Sequence, residues 1–152
     1  MATADQADFE DITRLLGRAP EGAFTVVVRG TDGKPLVIRN APFLADGRPM
    51  PTRYWLVGAE LRVAVGRLES EGGVRRAGAA VDPGELEGAH RRYAALRDAD
   101  IAAGHAGPRP YGGVGGTRQG VKCLHAHYAW FLAGGEDPVG RWVHQQLHPE
   151  AP

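Results

Sequence analysis

Cysteine, lysine and an excess of charge of either sign are all missing or scarce in this sequence of 152 residues. A single cysteine excludes an internal disulfide, so cysteine usage gives no support for a secreted protein. The 18 basic and 18 acidic residues give a net charge of zero, which excludes the cationic excess of a strongly basic nucleic-acid-binding protein. Sixteen of the basic residues are arginines, among many alanines and glycines. We interpret this as a compositional bias, so an isolated arginine is weak evidence of function.

Long hydrophobic runs are absent as well. The apolar stretches are far shorter than the ~20 residues that a membrane-spanning helix needs. The first residues, MATADQADFED, have neither the positive charge nor the apolar run of a signal peptide. We therefore expect a cytoplasmic protein with no membrane contact and no nucleic-acid partner. Its composition, 43% hydrophobic and 24% charged, is typical of one globular domain over residues 1–152, with loose termini at 1–7 and 148–152.

Hydrophobic periodicity predicts a helix and then a hairpin in the first part of the chain. Apolar residues at helical spacing predict a helix over 8–18, with Asp8 as its N-cap. Two β-branched segments, 24–30 and 35–42, flank the turn signal TDGK and predict a hairpin, and a third strand is expected within 51–57. The hairpin residues expected to share one buried face are Val26, Val28, Leu36 and Ile38.

The remaining sequence predicts mainly helices. One is expected over 59–71, ended by the glycine pair at 72–73, and another begins at Asp82 and Pro83. The apolar stripe expected on that second helix is Leu86, Ala89, Tyr93 and Leu96. A long helix is predicted from about 117 to 133 and a short one over 139–147. This order predicts an α+β fold: a small antiparallel sheet, made of the N-terminal hairpin and a third strand, packed by C-terminal helices.

The segment 110–140 holds the only cysteine and eight glycines. Its turn, GGVGGTRQG, would expose backbone N–H groups at a helix start, where the helix dipole favours an anion. Three basic side chains would form one stripe along the predicted helix. We therefore expect a small phosphorylated or otherwise anionic ligand here, with no cofactor indicated. The candidate ligand-binding residues are Gly113, Gly115, Gly116, Thr117, Arg118, Lys122, His125 and Arg109.

A second hypothesis concerns Cys123 and His127, which lie one helical turn apart. They are candidates for the nucleophile and base of a hydrolase or transferase, with or without a metal. The spacing Cys-x-His-x-His also suggests zinc, but on a regular helix His125 points away from the other two, so the three could not share one ion. The additional ligands considered for a Cys123–His127 pair are His90, His105 and Asp100. A third hypothesis is a protein-interaction module.

Four segments carry a family resemblance. They are YWLV at 54–57, GRLESEGGV at 66–74, AHRRYAALRD at 89–98 and GGVGGTRQGVKCLHAHYAWFLAGGEDPVG at 112–140. Together they resemble the bacterial family named domain of unknown function 501, over most of the chain after about residue 20. The resemblance implies a bacterial cytoplasmic protein and carries no established activity. It also implies an association with cell division and with polyphosphate or guanosine-polyphosphate metabolism, which favours a phosphorylated ligand or a division partner.

Overall fold

A computed structural model describes residues 5–150. Within that range the chain forms one three-stranded sheet and six α-helices, so the predicted α+β class is confirmed. The strands are β1 (Phe24–Arg29), β2 (Pro35–Asn40) and β3 (Tyr54–Leu56). The helices are α1 (Gln6–Leu16), α2 (Ala59–Ser70), α3 (Gly73–Ala80), α4 (Pro83–Asp98), α5 (Leu124–Leu132) and α6 (Pro138–Leu147). Among these helices none is both long and apolar enough to cross a membrane.

The sheet is antiparallel throughout and has the order β1-β2-β3. Both of its faces are covered, which separates the core into two clusters. On one face Phe24 and Ile38 pack with Ile12 of α1. On the other face Val37 and Leu56 join the larger cluster formed with the remaining helices. The sheet therefore lies between α1 and a helical layer in which α5 packs directly on β3.

A β-bulge divides the four hairpin residues that were expected to share a face. Val26 pairs with Ile38, whereas Val28 pairs with Val37, so β1 carries an extra residue between the two pairs. Val26 and Ile38 consequently pack on the α1 side, and Val28 and Leu36 pack against the larger cluster. The prediction of one shared face is wrong because two register shifts reverse the alternation of side chains: β1 has an extra residue between Val26 and Val28, and β2 has one, Leu36, between Pro35 and Val37.

The first helix begins earlier than the sequence indicated. Asp5 is the N-cap of α1 and its carboxylate accepts a hydrogen bond from the backbone N–H of Asp8 at 2.8 Å. The prediction that Asp8 caps this helix is wrong; its own carboxylate accepts from Arg29 at 2.8 and 2.9 Å. Gln6 and Ala7, predicted to be loose, belong to α1. Residues 1–4 and 151–152 of the predicted loose termini lie outside the described residues.

Helix α3 was not anticipated. The glycine pair at 72–73 does end α2, but only Gly72 is in the left-handed conformation, with φ 80°. Gly73 already begins α3, and a Cβ there would meet the carbonyl oxygen of Leu68 at 2.5 Å. Of the residues of α3, only Gly73 and Ala77 are buried. A helix with so small a buried face leaves no apolar stripe in the sequence.

The buried face of α4 is unusually polar. It carries His90, Tyr93 and Arg97 besides Leu86 and Ala89. The predicted stripe is wrong at its end, because Leu96 is 47% exposed and Arg97 beside it is 1% exposed. The Tyr93 hydroxyl accepts hydrogen bonds from two backbone N–H groups where β3 begins, and burial raises the pKa of this phenol. The polar side chains on this face of α4 therefore make hydrogen bonds with the backbone of neighbouring segments instead of facing water.

Candidate functional site

Helix α5 begins at Leu124, seven residues later than predicted. Gly120 has φ +65°, a left-handed conformation that interrupts a right-handed helix, and Cys123 is the extended N-cap with φ −151°. Arg118 and Lys122 therefore lie on a non-helical segment. The predicted basic stripe is wrong for that reason, as is the placement of Cys123 within a regular helix.

Glu69 of α2 occupies the start of α5. Its Oε2 accepts the backbone N–H of Leu124 at 2.7 Å, and its Oε1 lies 3.1 Å from His125 Nδ1. A carboxylate at this position satisfies one of the free N–H groups of the helix and interacts favourably with the helix dipole. The protein thus supplies its own anion at the helix start where an external one was expected.

The backbone donors of the glycine-rich turn are also largely used within the protein. A 3₁₀ turn spans Val114–Gly116. The N–H of Gly113 donates to Thr117 O at 2.6 Å, and the N–H of Gly116 donates to Gly113 O at 3.0 Å. The N–H of Val114 donates to His90 Nδ1 at 3.0 Å. A nest that holds an anion needs free N–H groups, and these three are not free.

The turn is instead docked on the buried face of α4. His90 engages it at two points, Val114 N–H and the carbonyl of Gly120, the latter at 2.8 Å. Arg97 Nη1 donates to the carbonyl of Gly112 at 2.9 Å. Gly113 lies so close to α4 that a Cβ on it would be 2.7 Å from His90 Cα and nearer still to the ring. A glycine is required here because the backbone approaches the helix too closely for any side chain.

We expect Gly113→Ala to destabilise the protein by about 1–3 kcal/mol, the usual cost of forcing an extra carbon into a packed core. The free energy of unfolding is measured by urea titration. Gly78→Ala is the matched control, because a Cβ on Gly78 in α3 meets no atom within 4 Å. Alanine favours a helix over glycine, so this control should be neutral or slightly stabilising. Equal stability of both variants would contradict the close docking of the turn.

A pocket of about 460 Å³ opens beside this turn, at the start of α5. We name it the cationic pocket. Its basic lining residues are Arg18, Arg62, Lys122 and His125. Among the described residues that line it there is no aspartate or glutamate, although Glu69 pairs with His125. The volume lies within the range of small-molecule sites, about 300–1,000 Å³.

The pocket also has an apolar wall. Trp55 and Leu56 of β3 and Leu16 at the end of α1 contribute to it. Trp55 also packs against the α1-side core cluster, which holds its indole in place. Arg62 Nη1 donates to the carbonyl of Leu15 at 2.9 Å, so the arginine joins α2 to α1 across the pocket. The pocket therefore combines fixed apolar surface with basic side chains.

The structure brings together only part of the predicted ligand-binding set. Gly115, Lys122 and His125 line the cationic pocket, together with Cys123. Arg118 lines a different pocket with His90 and Gly120, and its guanidinium lies 5.2 Å from the Tyr111 ring centre. Arg118 and Lys122 were predicted to bind one ligand together, but they line two different pockets.

The remaining predicted ligand-binding residues lie outside the lining of the cationic pocket. Gly113 is buried against His90, and Gly116 faces Pro51. The Thr117 hydroxyl donates to Gln119 O at 2.9 Å. Arg109 is exposed in the loop that precedes the turn.

Cys123 and His127 do not form a hydrogen-bonded pair. His127 is 1% exposed and its Nδ1 donates to Asp137 Oδ2 at 2.6 Å. Its other nitrogen, Nε2, is buried and has no hydrogen-bond partner among the described residues, so it makes no hydrogen bond with the thiol. A base must reach its nucleophile directly or through one water. The predicted pairing of these two residues is therefore not seen.

The additional metal-ligand candidates are dispersed. His105 stacks on Phe43 with ring centres 4.2 Å apart, and Asp100 lies 2.9 Å from the guanidinium of Arg53. Both ring nitrogens of His90 are engaged by the glycine-rich segment. Between residues 5 and 150 no group of three or more histidine, cysteine, aspartate or glutamate side chains is arranged to hold a metal ion.

Two basic residues of the pocket were missed by sequence analysis. Arg18 lies in the link between α1 and β1, and Arg62 lies in the first turn of α2. Neither belongs to a motif, and with sixteen arginines in the chain no local signal separates them from the others. Only the packing of α1, α2 and β3 around α5 brings them together.

Comparison with models of protein families gives a match over most of the chain. The family model described as protein of unknown function (DUF501) matches residues 26–145, which include most of β1, all of β2 and β3, α2 to α5 and most of α6. No curated protein and no solved structure is significantly similar to the chain.

Proposed function

The chain belongs to the DUF501 family of proteins of unknown function, and from that premise we propose that it binds a small phosphorylated or otherwise anionic ligand in the cationic pocket. The observation that carries the proposal is the charge of the lining. Three permanently basic side chains and one histidine line a single concavity, in a chain whose net charge is zero. Because these exposed or half-buried basic side chains surround one concavity, their charges add to attract an anion into it.

The chemistry of the pocket favours an organic anion over a bare inorganic ion. Arg18, Arg62 and Lys122 suit a phosphate or carboxylate group, because guanidinium and ammonium groups make charge-assisted hydrogen bonds with it. Trp55 and Leu56 add apolar surface that an inorganic ion would leave uncovered. Phenyl phosphate, which carries both a ring and a dianion, is therefore a suitable probe.

We expect Lys122→Ala and Arg62→Ala each to weaken phenyl phosphate binding by about fivefold to tenfold, because a partly exposed charged hydrogen bond contributes about 1 kcal/mol. Isothermal titration calorimetry at low salt gives the dissociation constants. Inorganic phosphate is titrated in parallel and should bind more weakly.

Two matched controls belong to this experiment. Lys34→Ala removes the other lysine, which lines a separate pocket, and should leave the affinity unchanged. Arg118→Ala removes a ligand-binding residue that was predicted from the sequence but does not line the cationic pocket. It should also leave the affinity for phenyl phosphate unchanged. A loss of binding confined to Arg118→Ala would move the site to the other side of the glycine-rich segment. No saturable binding by the unsubstituted protein would refute the proposal.

The other two hypotheses remain predictions with less support. A Cys123–His127 enzyme would require His127 to leave its hydrogen bond with Asp137. Among the described residues, a protein-interaction module has in its favour only exposed hydrophobic side chains that do not indicate a partner. They belong to Phe9, Val63, Leu96 and Tyr111. The proposal includes a bacterial, cytoplasmic protein, which fits a single cysteine kept as a thiol.

A further inference from the structure

His90 is held in one neutral tautomer by its two hydrogen bonds. A backbone N–H can only donate, so the bond from Val114 requires an unprotonated Nδ1. The proton of the neutral ring is then on Nε2, which donates to the carbonyl of Gly120 at 2.8 Å. One contact is at Val114, where the 3₁₀ turn begins, and the other is at Gly120, after the turn has ended. One ring therefore fixes both ends of the segment 114–120.

We propose that His90 is a pH-sensitive latch: protonation of its Nδ1 breaks the bond to Val114 and releases the glycine-rich turn from α4. A protonated Nδ1 would present its hydrogen to the hydrogen of Val114 N–H, so the two groups would repel. The turn would have to move away from the ring, because it packs directly against His90 through Gly113.

The surroundings of His90 oppose its protonation in the closed state. Burial is the main cause that lowers the pKa of His90, and the neighbouring His127, with ring centres 5.7 Å away, lowers it further. The bond to Gly120 and the charge of Asp137 act in the opposite direction. Glu87 and Arg118 are the charged residues that line the same pocket as His90.

The sign of the pH effect follows from this lowered pKa. The open state, with an ordinary histidine pKa near 6.5, takes up the proton before the closed state does. The latch is therefore fully effective above about pH 6.5 and weakens as the pH falls below that value.

Opening of the latch would reach the cationic pocket, and this part of the inference rests on the proposed function. The segment that His90 holds continues directly into Lys122 and Cys123, and it includes Gly115, all of which line the pocket. A released turn would leave Lys122 without a fixed position. The latch thus couples the affinity for an anion to acidification.

Amide hydrogen exchange followed by NMR tests the latch on the ligand-free protein. The protection factor of the Val114 amide, corrected for the intrinsic exchange rate at each pH, should fall up to about fivefold from pH 6.5 to 5.5. The amide of Ala129, in the middle of α5, should not follow it. A parallel fall at both amides would indicate global unfolding and overturn the proposal.

His90→Asn is the decisive variant, because the asparagine oxygen occupies roughly the place of Nδ1 and accepts from Val114 without titrating. Its Val114 protection should lose the pH dependence. His144→Asn is the matched control: it removes a histidine from α6 that contacts Tyr128, far from the turn in the chain, and should retain the dependence. If His90→Asn does not fold, the NMR titration of His90 in the unsubstituted protein decides. A ring that stays neutral while Val114 loses protection would refute the latch.

The coupling to the pocket has its own readout. We compare the phenyl phosphate dissociation constant of the unsubstituted protein with that of His90→Asn as a ratio. Protonation of the ligand and of His125 affects both proteins alike, so it does not change this ratio. This ratio should rise as the pH falls from 7.5 to 5.5, by no more than the factor by which the protection of the Val114 amide falls over the same range. If the Val114 protection depends on pH as expected but this ratio is constant, the coupling alone is refuted. If phenyl phosphate binds at neither pH, the proposed function is refuted and the latch is not affected.

Discussion

Replacing Arg97 with methionine should destabilise the protein by about 2–4 kcal/mol, because several backbone carbonyls would lose a charged hydrogen-bond donor and each loss costs about 1–3 kcal/mol. The Arg97 side chain is 1% exposed and its Nη1 lies within hydrogen-bonding distance of three backbone carbonyls. These carbonyls belong to Pro51, Tyr111 and Gly112, at 3.1, 3.4 and 2.9 Å. Methionine keeps an unbranched stem but has no donor, so these part-buried carbonyls would lose their partner.

Urea unfolding monitored by circular dichroism measures this effect. Arg91→Met, on the exposed side of the same helix and paired only with exposed Glu87, is the matched control and should change stability by less than about 0.5 kcal/mol. A loss below about 1 kcal/mol for Arg97→Met would show that solvent satisfies these carbonyls and that Arg97 does not hold the loop.

Asp137→Ala should cost about 3–5 kcal/mol for a different reason. Asp137 is fully buried and bonds both His127 Nδ1, at 2.6 Å, and the backbone N–H of Val139, at 2.9 Å. Alanine would leave His127 with neither ring nitrogen paired inside the core, since its Nε2 already lacks a partner among the described residues. The helix α6 would lose its N-cap in addition.

The chain provides a close control in Asp82, which precedes a proline and caps α4 in the same manner. Asp82 is exposed and its described hydrogen bond is to the helix start. Asp82→Ala should therefore cost only the cap, about 1 kcal/mol. Unfolding free energies of the two variants separate the buried pair from the cap. Equal losses would mean that the pair with His127 contributes nothing to stability.

Local signals were sufficient to predict most of the architecture. The turn TDGK between β-branched segments gave the hairpin, and the two Asp-Pro pairs located the starts of α4 and α6. These signals act over a few residues, so they can be interpreted without knowledge of the tertiary structure. The bulge in β1 and the short helix α3 could not be found in this way, because neither leaves a periodic pattern.

The errors at α4 and α5 share one physical cause. On α4 the buried face follows the spacing 86, 90, 93, 97. The sequence-based prediction places Leu96 on that face instead of Arg97, because it assumes that buried residues are apolar. Arg97 and His90 are buried because their partners are backbone groups some 14 to 46 residues away in the chain. In the same way α5 starts late because the preceding segment is bound to α4. Long-range polar contacts of this kind have no signature in local sequence.

The candidate site was predictable only in part. Lys122, His125 and Gly115 were identified from the density of basic residues and glycines in one segment. Arg18 and Arg62 come from elements that become neighbours only through packing. The predicted role of the glycine turn changes as well: its donors support the fold, and its position places Lys122 at the pocket.

The central claim is that the pocket beside α5, rather than the turn itself, recognises an anion. Backbone amide chemical-shift mapping during addition of inorganic phosphate or phenyl phosphate tests it most directly. The account predicts saturable shifts confined to the pocket lining, at Arg62, Lys122, Cys123 and His125. Shifts centred on Arg118 to Gly120, or none that saturate, would contradict it.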